Sequence, residues 1–437
     1  MLKNLTGNIV AGTLFLWAVL PATLAAADSA APVVQKKYTE EIRILRAKPQ
    51  VKTALARIVE LEARHLEELV ELTQIPAPPF KEEARAKRFA DMLRQAGLAD
   101  VKIDEVGNVV GRRPGRSGMR TIAYSAHIDT VFPEETDVTV RVEGEKMYAP
   151  GIGDNTRGMI VVLAVLRAMQ HAGIETDADV LFIGNVGEEG LGDLRGTKHL
   201  FRDGANKIDT LLAVDGGRSD RIVYGGVGSH RYRVTFEGPG GHSWGAFGAA
   251  NPHHALGRAI ALFDQRAPSV TSSGEKSSYN IGLIGGGTSI NSIPFESWAE
   301  VDIRSGDQKK IDAIDAILQA AVQQALQEEN DGRTLGPALT VDVKRVGTRP
   351  AAQGRVDWPI VQRSMAATIA FGIQPKLAVS STDANIPISR GIPAVTMSRG
   401  GVGGKAHSPG EWWQNQDGHV GIQISLLTLL SEAGVVE

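Results

Sequence analysis

The sequence predicts an α/β fold: a main domain built on a mainly parallel sheet, carrying an inserted smaller α+β domain. Three observations point to it. Short apolar strands alternate with helical stretches over 101–214, and the same alternation returns over 358–430. Between them the texture changes to strands of alternating polarity around a helix. Histidines and acids fall just past the apolar strands, the edge at which open α/β sheets keep their sites.

The elements follow in order. Residues 1–27 read as a secretory signal peptide: Lys3 precedes an apolar run over 9–20, Pro21 ends it, and Ala25, Ala26 and Ala27 offer small residues for cleavage. That run is too short for a permanent membrane span, and no later stretch is long and apolar enough for one. A periplasmic or secreted location is expected. Residues 28–50 are a weakly patterned N-terminal extension. The main domain begins over 51–221 with one helix over 51–72, broken at Pro76, Pro78 and Pro79, and a second over 82–95 stopped by Gly97. Strands are expected at 101–103, 108–110, 121–125, 180–183 and 210–214, with a helix over 159–169. The smaller domain is expected at 222–335, with strands at 230–236 and 298–304 and a helix from Pro252. The main domain then resumes over 336–437, with a helix at 358–371, strands at 376–379 and 394–397, and a last helix near 422–430.

Composition narrows the functions. With 42% hydrophobic and 22% charged residues, disordered and fibrous classes are excluded. A net charge of -3 supplies no basic field for a phosphate backbone, so nucleic acid is not an expected partner. Cys 0 removes disulfides, thiol nucleophiles and cysteine metal sites, leaving His, Asp and Glu to hold any metal.

Five groups carry candidate chemistry. His127 and Asp129 follow an apolar strand and point to the same side of an extended segment. Asp154 stands in a glycine loop before an apolar helix. Glu188 and Glu189 follow a strand and face opposite ways, so two adjacent carboxylates can do different work. Asp215 follows another strand, and His407 lies near the end of the chain with Glu411 shortly after it. Singly, each has an ordinary explanation, because an Asp before a helix caps it and a Glu pair is usually a solvated face. Recurring together at strand ends, they supply what two divalent ions need: a shared carboxylate and further nitrogen and oxygen ligands.

The ordered set SAHIDTV, GIGDNTRG, GNVGEEG, AVDGG, GPGGHS, INSIP, DIR, STDANIP and AHSPGE resembles the M20 family of metallopeptidases, in particular its tripeptidase T-like and related aminopeptidase branch. The resemblance covers the chain from about residue 55 onward. It implies a dinuclear-zinc exopeptidase domain with an inserted lid and dimerisation domain. His127 and Asp215 would bind one of two Zn2+ ions per chain, Glu189 and His407 the other, and Asp154 would bridge them. Glu188 would be the general base, and Asp129 would orient His127. Cobalt or manganese could substitute for zinc at such ligands. Glu411 either supports His407 or begins the last helix.

The resemblance also gives His242, in the loop after the first strand of the smaller domain, a role at the carbonyl oxygen, often from the opposite subunit. A homodimer through the smaller domain is therefore expected. Asn291 and Arg304 resemble substrate-holding residues; alternation puts Arg304 on the face of its strand opposite Val301 and Ile303, free to grip a carboxylate bidentately. The leading expectation is an exported aminopeptidase or other exopeptidase acting on short peptides. An amidohydrolase, deacylase or carboxypeptidase acting on N-acylated amino acids is the alternative. A noncatalytic peptide-binding protein on the same fold is the third reading.

Overall fold

The computed structural model describes residues 33–205 and 207–436. The expected signal peptide at 1–27 and the first residues of the extension lie outside the described residues. At the centre is an eight-stranded sheet in the order Asp100–Ile103, Val109–Arg113, Asp179–Asn185, Thr121–His127, Thr210–Val214, Ala394–Met397, Arg221–Gly226 and Lys376–Ser380. Thr121–His127 runs parallel to both neighbours, and Ala394–Met397 runs parallel to Thr210–Val214. Antiparallel pairing enters at Asp100–Ile103 and Val109–Arg113 on one side, and between Ala394–Met397 and Arg221–Gly226 on the other. The strands at Asp179–Asn185, Thr210–Val214 and Ala394–Met397 are buried along their whole length, as befits a sheet covered on both faces.

Helix Arg157–His171 shows why the sequence folds this way. Its run from Met159 to Met169 is buried on every side, so the helix lies within the core instead of on its surface. Gly418–Ala433 is more apolar still and packs against it. Three N-terminal helices, Lys36–Ala47, Pro49–Glu60 and Glu62–Thr73, replace the single helix expected over 51–72. The chain turns out of helical geometry at Leu61, with φ -91° and ψ 9°. The extension is not unstructured: Lys36–Ala47 buries Tyr38, Ile42 and Leu45, and Pro49 opens the next helix where its missing N–H does no harm.

The second sheet is antiparallel, in the order Ser277–Gly286, Glu296–Ser305, Gly228–Glu237 and Thr340–Arg349. Ala299, Val301 and Ile303 face its core as alternation predicts, against Leu256 and Phe263 of helix Pro252–Arg266 and Ile311, Ile314 and Leu318 of helix Gln308–Asp331. Sheet membership moves the expected boundaries. Arg221–Gly226 pairs in the large sheet, so the smaller unit starts near 228 instead of 222; Thr340–Arg349 pairs in the small sheet, so the unit ends near 349 instead of 335. The two crossings between sheets lie side by side: Gly226 N–H donates to the Ala352 carbonyl at 2.7 Å, and Ala352 N–H donates to the Gly226 carbonyl at 2.9 Å.

A third sheet, in the order Val402–Gly404, Trp412–Gln414, Lys146–Tyr148 and Arg141–Glu143, was not expected from the sequence. It ties the segment that leads to Asp154 to the one that carries His407. Among the described residues, no helix is long and apolar enough to cross a membrane.

Candidate metal centre

His127 ends a central strand, is 1% exposed, and donates from Nδ1 to the backbone carbonyl of Asp129 at 3.0 Å. A carbonyl can only accept, so this bond fixes the tautomer and leaves Nε2 with a free lone pair. Nε2 lies 3.2 Å from Asp154 Oδ1 and 3.9 Å from Asp215 Oδ1. The other oxygen of Asp154 faces the opposite way, 3.3 Å from His407 Nε2, which also lies 2.9 Å from Glu189 Oε1. Two groups of donors thus share one carboxylate, each with its atoms within 4.8 Å of one another.

Local structure aims each of these groups. Gly151, at φ +77°, makes the turn before Asp154, and a Cβ there would come within 2.5 Å of Thr130. Glu411 then fixes the loop: its carboxylate accepts the N–H groups of Gly151, Gly153 and Asp154 at 2.9, 2.9 and 2.8 Å. Burial nevertheless pushes its pKa up to about 7. Glu411 therefore supports Asp154, not His407, and the last helix begins later, at Gly418. His407 itself has left-handed backbone, φ +61°, a strained conformation for such a residue and one that marks functional sites.

Asp129 is fully buried, and its carboxylate lies close enough to His127 to favour the charged imidazole, but its hydrogen bonds from backbone go to the two glutamates. Oδ1 lies 3.7 Å from the ring nitrogen; the closer contacts are from the backbone N–H groups of Glu188 to Oδ1 at 3.0 Å and of Glu189 to Oδ2 at 2.8 Å. Its backbone carbonyl orients the imidazole, and its side chain clamps the two glutamates.

Glu188 has a carboxylate oxygen within 4.8 Å of donor atoms of both Glu189 and His127 and is bound by Arg349, whose Nη1 donates to Oε1 at 2.9 Å while Nη2 donates to the Glu188 carbonyl. Burial, the largest influence, raises the pKa of Glu188 well above the usual carboxylate range; Arg349 opposes this and Glu189 adds to it. Arg349 was not singled out in the sequence, because its strand has only Val341, Val343 and Val346 as apolar markers.

Burial opposes protonation of His127, but the carboxylates of Asp129, Asp154 and Asp215 outweigh it and raise its pKa well above the ordinary value. Asp215 is pushed up to about 6, first by burial and then by Asp154. His407 is raised to about 10 by its bonds to Asp154 and Glu189. The cluster is short of positive charge. Imidazole and carboxylate donors, a fixed tautomer and a shared Asp154 fit a pair of divalent ions in chemistry and in charge.

The centre lies in a cleft of about 580 Å³, lined by Asp154, Glu188, Glu189, Asp215 and His407 and by Arg304 from the small sheet. His242 and Asn291 do not line it. They sit together on an exposed corner, where Ser243 N–H donates to the Asn291 carbonyl at 2.9 Å. A separate surface group, Asp104, Glu105 and His199, is already internally paired, with His199 3.0 Å from Glu105.

The chain belongs to peptidase family M20/M25/M40, whose model matches residues 123–431. Carboxypeptidase G2 from Pseudomonas sp. (strain RS-16) is 26% identical over 259 residues, covering 58% of this chain and 60% of that protein, so the matched region spans less than two thirds of that relative. The fold is similar to that of aminopeptidase PepT from Bacillus cereus, with a TM-score of 0.67 and 22% identity over 85% of this chain and 99% of the other. A tripeptidase from Staphylococcus aureus gives a TM-score of 0.68 at 20% identity, again over 85% and 99%.

Proposed function

We propose that this protein is a metal-dependent hydrolase of amide bonds in small substrates that present a free carboxylate, either short peptides or acylated amino acids. The observation that carries the reading is Asp154, with one oxygen toward His127 and the other toward His407. His127 and Asp215 would hold one zinc ion, Glu189 and His407 the other, with Asp154 common to both. Two such ions supply Lewis acidity toward the carbonyl and make water acidic enough to react near neutral pH. Glu188, paired with Arg349 and beside the proposed ligands, takes the proton from the attacking water and delivers it to the leaving nitrogen. Asp129 keeps Glu188 and Glu189 in register, and Arg304 meets the substrate carboxylate.

The lining of the cleft favours the carboxylate-directed alternative over aminopeptidase action. Its acids are Asp154, Glu188, Glu189 and Asp215, all assigned to metal or proton transfer. No acid among those lining residues is left to hold a substrate ammonium. Homodimerisation through the smaller unit is part of the proposal, with His242 and Asn291 serving the partner's cleft; Trp244, Phe247 and Ile290 around them are 88, 86 and 104% exposed. Export after removal of 1–27 completes it.

The test pairs metal analysis with peptides blocked at one end or the other. About two ions per chain and turnover that survives amino-end blocking but not carboxyl-end blocking is the expected result. Loss of turnover on amino-end blocking alone would return the aminopeptidase reading. A metal-free protein that binds peptides and hydrolyses none would sink both.

A further inference from the structure

The cleft holds more positive charge than this chemistry uses. Arg349 is engaged by Glu188, while Arg231 and Arg304 share Asp302, at 3.0 and 2.6 Å. Three other cations line the same cleft: Arg221, Arg399 and Lys405. Among the described residues, none of the three side chains has a hydrogen-bond or ion-pair partner. All come from the main domain, whose side of the cleft is the large-sheet wall: Arg221 opens a large-sheet strand, Arg399 follows Ala394–Met397, and Lys405 follows Val402–Gly404 of the third sheet.

Arg399 is the most informative. It is 7% exposed, and a charge so withdrawn from water calls for a partner. Glycines surround its guanidinium instead: a Cβ on Gly153, Gly403 or Gly216 would come within 2.8, 3.0 and 3.1 Å of its nitrogens. Gly217, next in sequence, lies against the side chain of Arg221 in the same way, with Cδ 3.1 Å from where a Cβ would stand. The acids that feel Arg399 through space are Asp154, Asp215 and Glu411. The first two are assigned to metal, and Glu411 is occupied by three backbone N–H groups.

We infer that Arg399, with Arg221 and Lys405 beside it, forms a second anion-binding subsite on the large-sheet wall, distinct from Arg304 on the small-sheet wall. The substrate is then a small amide with an anionic group at each end, a dicarboxylate in which the scissile bond lies between the two charges. The word substrate rests on the hydrolase reading above; the subsite can be tested without turnover.

The experiment titrates the zinc-loaded protein calorimetrically with glutarate and with butyrate, which differ by one carboxylate. Glutarate should bind at least about tenfold more tightly, the scale of one charge-assisted hydrogen-bonded pair. Arg399→Gln should abolish most of that difference and leave butyrate affinity and zinc content unchanged. Arg221→Gln, at a more exposed side chain, should do the same in part and serves if the Arg399 variant does not fold. With amides, Arg399→Gln should raise KM for glutaryl-alanine about tenfold, with kcat and the constants for butyryl-alanine unchanged. Equal glutarate binding by parent and variants would overturn the inference. So would loss of zinc in Arg399→Gln with Arg221→Gln neutral, because Arg399 would then be the counter-charge of the Asp154 loop. If the parent binds glutarate through these arginines but hydrolyses no amide, the subsite stands and the hydrolase reading falls.

Discussion

Arg349 and Glu188 form a buried pair between the end of the small sheet and the metal cleft, joined at both the carboxylate and the backbone carbonyl of Glu188. Their side chains are 5 and 6% exposed, so removing one partner strands the other in a poorly solvated place, a change on the order of 3–5 kcal/mol. Glu188 would then favour its protonated form and lose its capacity as a base. Arg349→Met should lower kcat at least about tenfold with metal content intact. Parent-level kcat in the folded variant would show that the pair has no part in turnover.

Glu188 and Glu189 are adjacent but differ in their assigned work. Glu188→Gln should keep both metals and lose at least about 100-fold in turnover, the lower range for positioned acid–base catalysis. Glu189→Gln should lose occupancy of one metal and activity with it. Metal analysis and turnover on both purified variants decide the matter; a folded, metal-filled Glu188→Gln enzyme with near-parent turnover would refute the proposed base.

Asp129→Asn presents an amide NH2 to a position that now accepts an N–H from Glu188 or Glu189. One bond is lost and two donors are opposed. Metal affinity should fall by about 10–100-fold, the range for groups that support a ligand, and competition with a chelating dye would measure it. Unchanged affinity would mean that the clamp is dispensable.

His242 gives a test in trans. Two inactive preparations, His242→Ala and Glu188→Gln, should regain activity when mixed and allowed to exchange subunits, because a mixed dimer contains one cleft with Glu188 served by the other subunit's His242. No recovery from demonstrated mixed dimers, or a fully active monomer, excludes the cross-subunit role.

His65 makes acid stability measurable. Burial, with Arg157 and Arg167 of the core helix and Arg64 of its own helix, pulls its pKa down to about 3 from 6.5, against the opposing pull of Glu68. The unfolded chain binds this proton below 6.5 and the folded one does not until about 3, so stability is full above 6.5 and is lost as pH falls through that window. In chelator-treated protein, His65→Leu should remove up to about 2 kcal/mol of the stability lost between pH 7 and pH 5. Denaturant unfolding at the two pH values measures it; identical pH dependence in parent and variant would contradict the assignment.

The family membership and the parallel centre of the sheet were legible because their markers are local. Asp154 stands before an apolar helix, and His127 and Asp215 end strands whose burial is written in unbroken apolar runs. What joins the site across the chain was not legible. Arg349 lies 161 residues from Glu188, and its strand alternates too weakly to be read, with Asp342, Lys344 and Arg345 between its few apolar residues. Glu411 stands out in the sequence with two open readings, and neither reaches its partner, because only the unexpected third sheet brings it under the Asp154 loop. The N-terminal helix was missed for a related reason: three buried side chains suffice once the rest of the core is there to receive them.

The reciprocal hydrogen bonds between Gly226 and Ala352 close a ring in the chain at the foot of the small sheet. Residues paired this way stand about 5.5 Å apart, a gap that a two-residue turn spans. A chain routed directly across that gap would keep His127, Asp154, Glu189, Asp215 and His407, and would lose His242, Asn291, Arg304 and Arg349 together. The five proposed metal ligands and the Arg399 subsite thus lie outside the stretch that carries Arg304, and the two parts of the chain meet at this one junction. Exchanging the stretch between those two residues for that of a relative should change the response to the carboxylate assigned to Arg304, while the proposed metal ligands and the preference assigned to Arg399 stay in place.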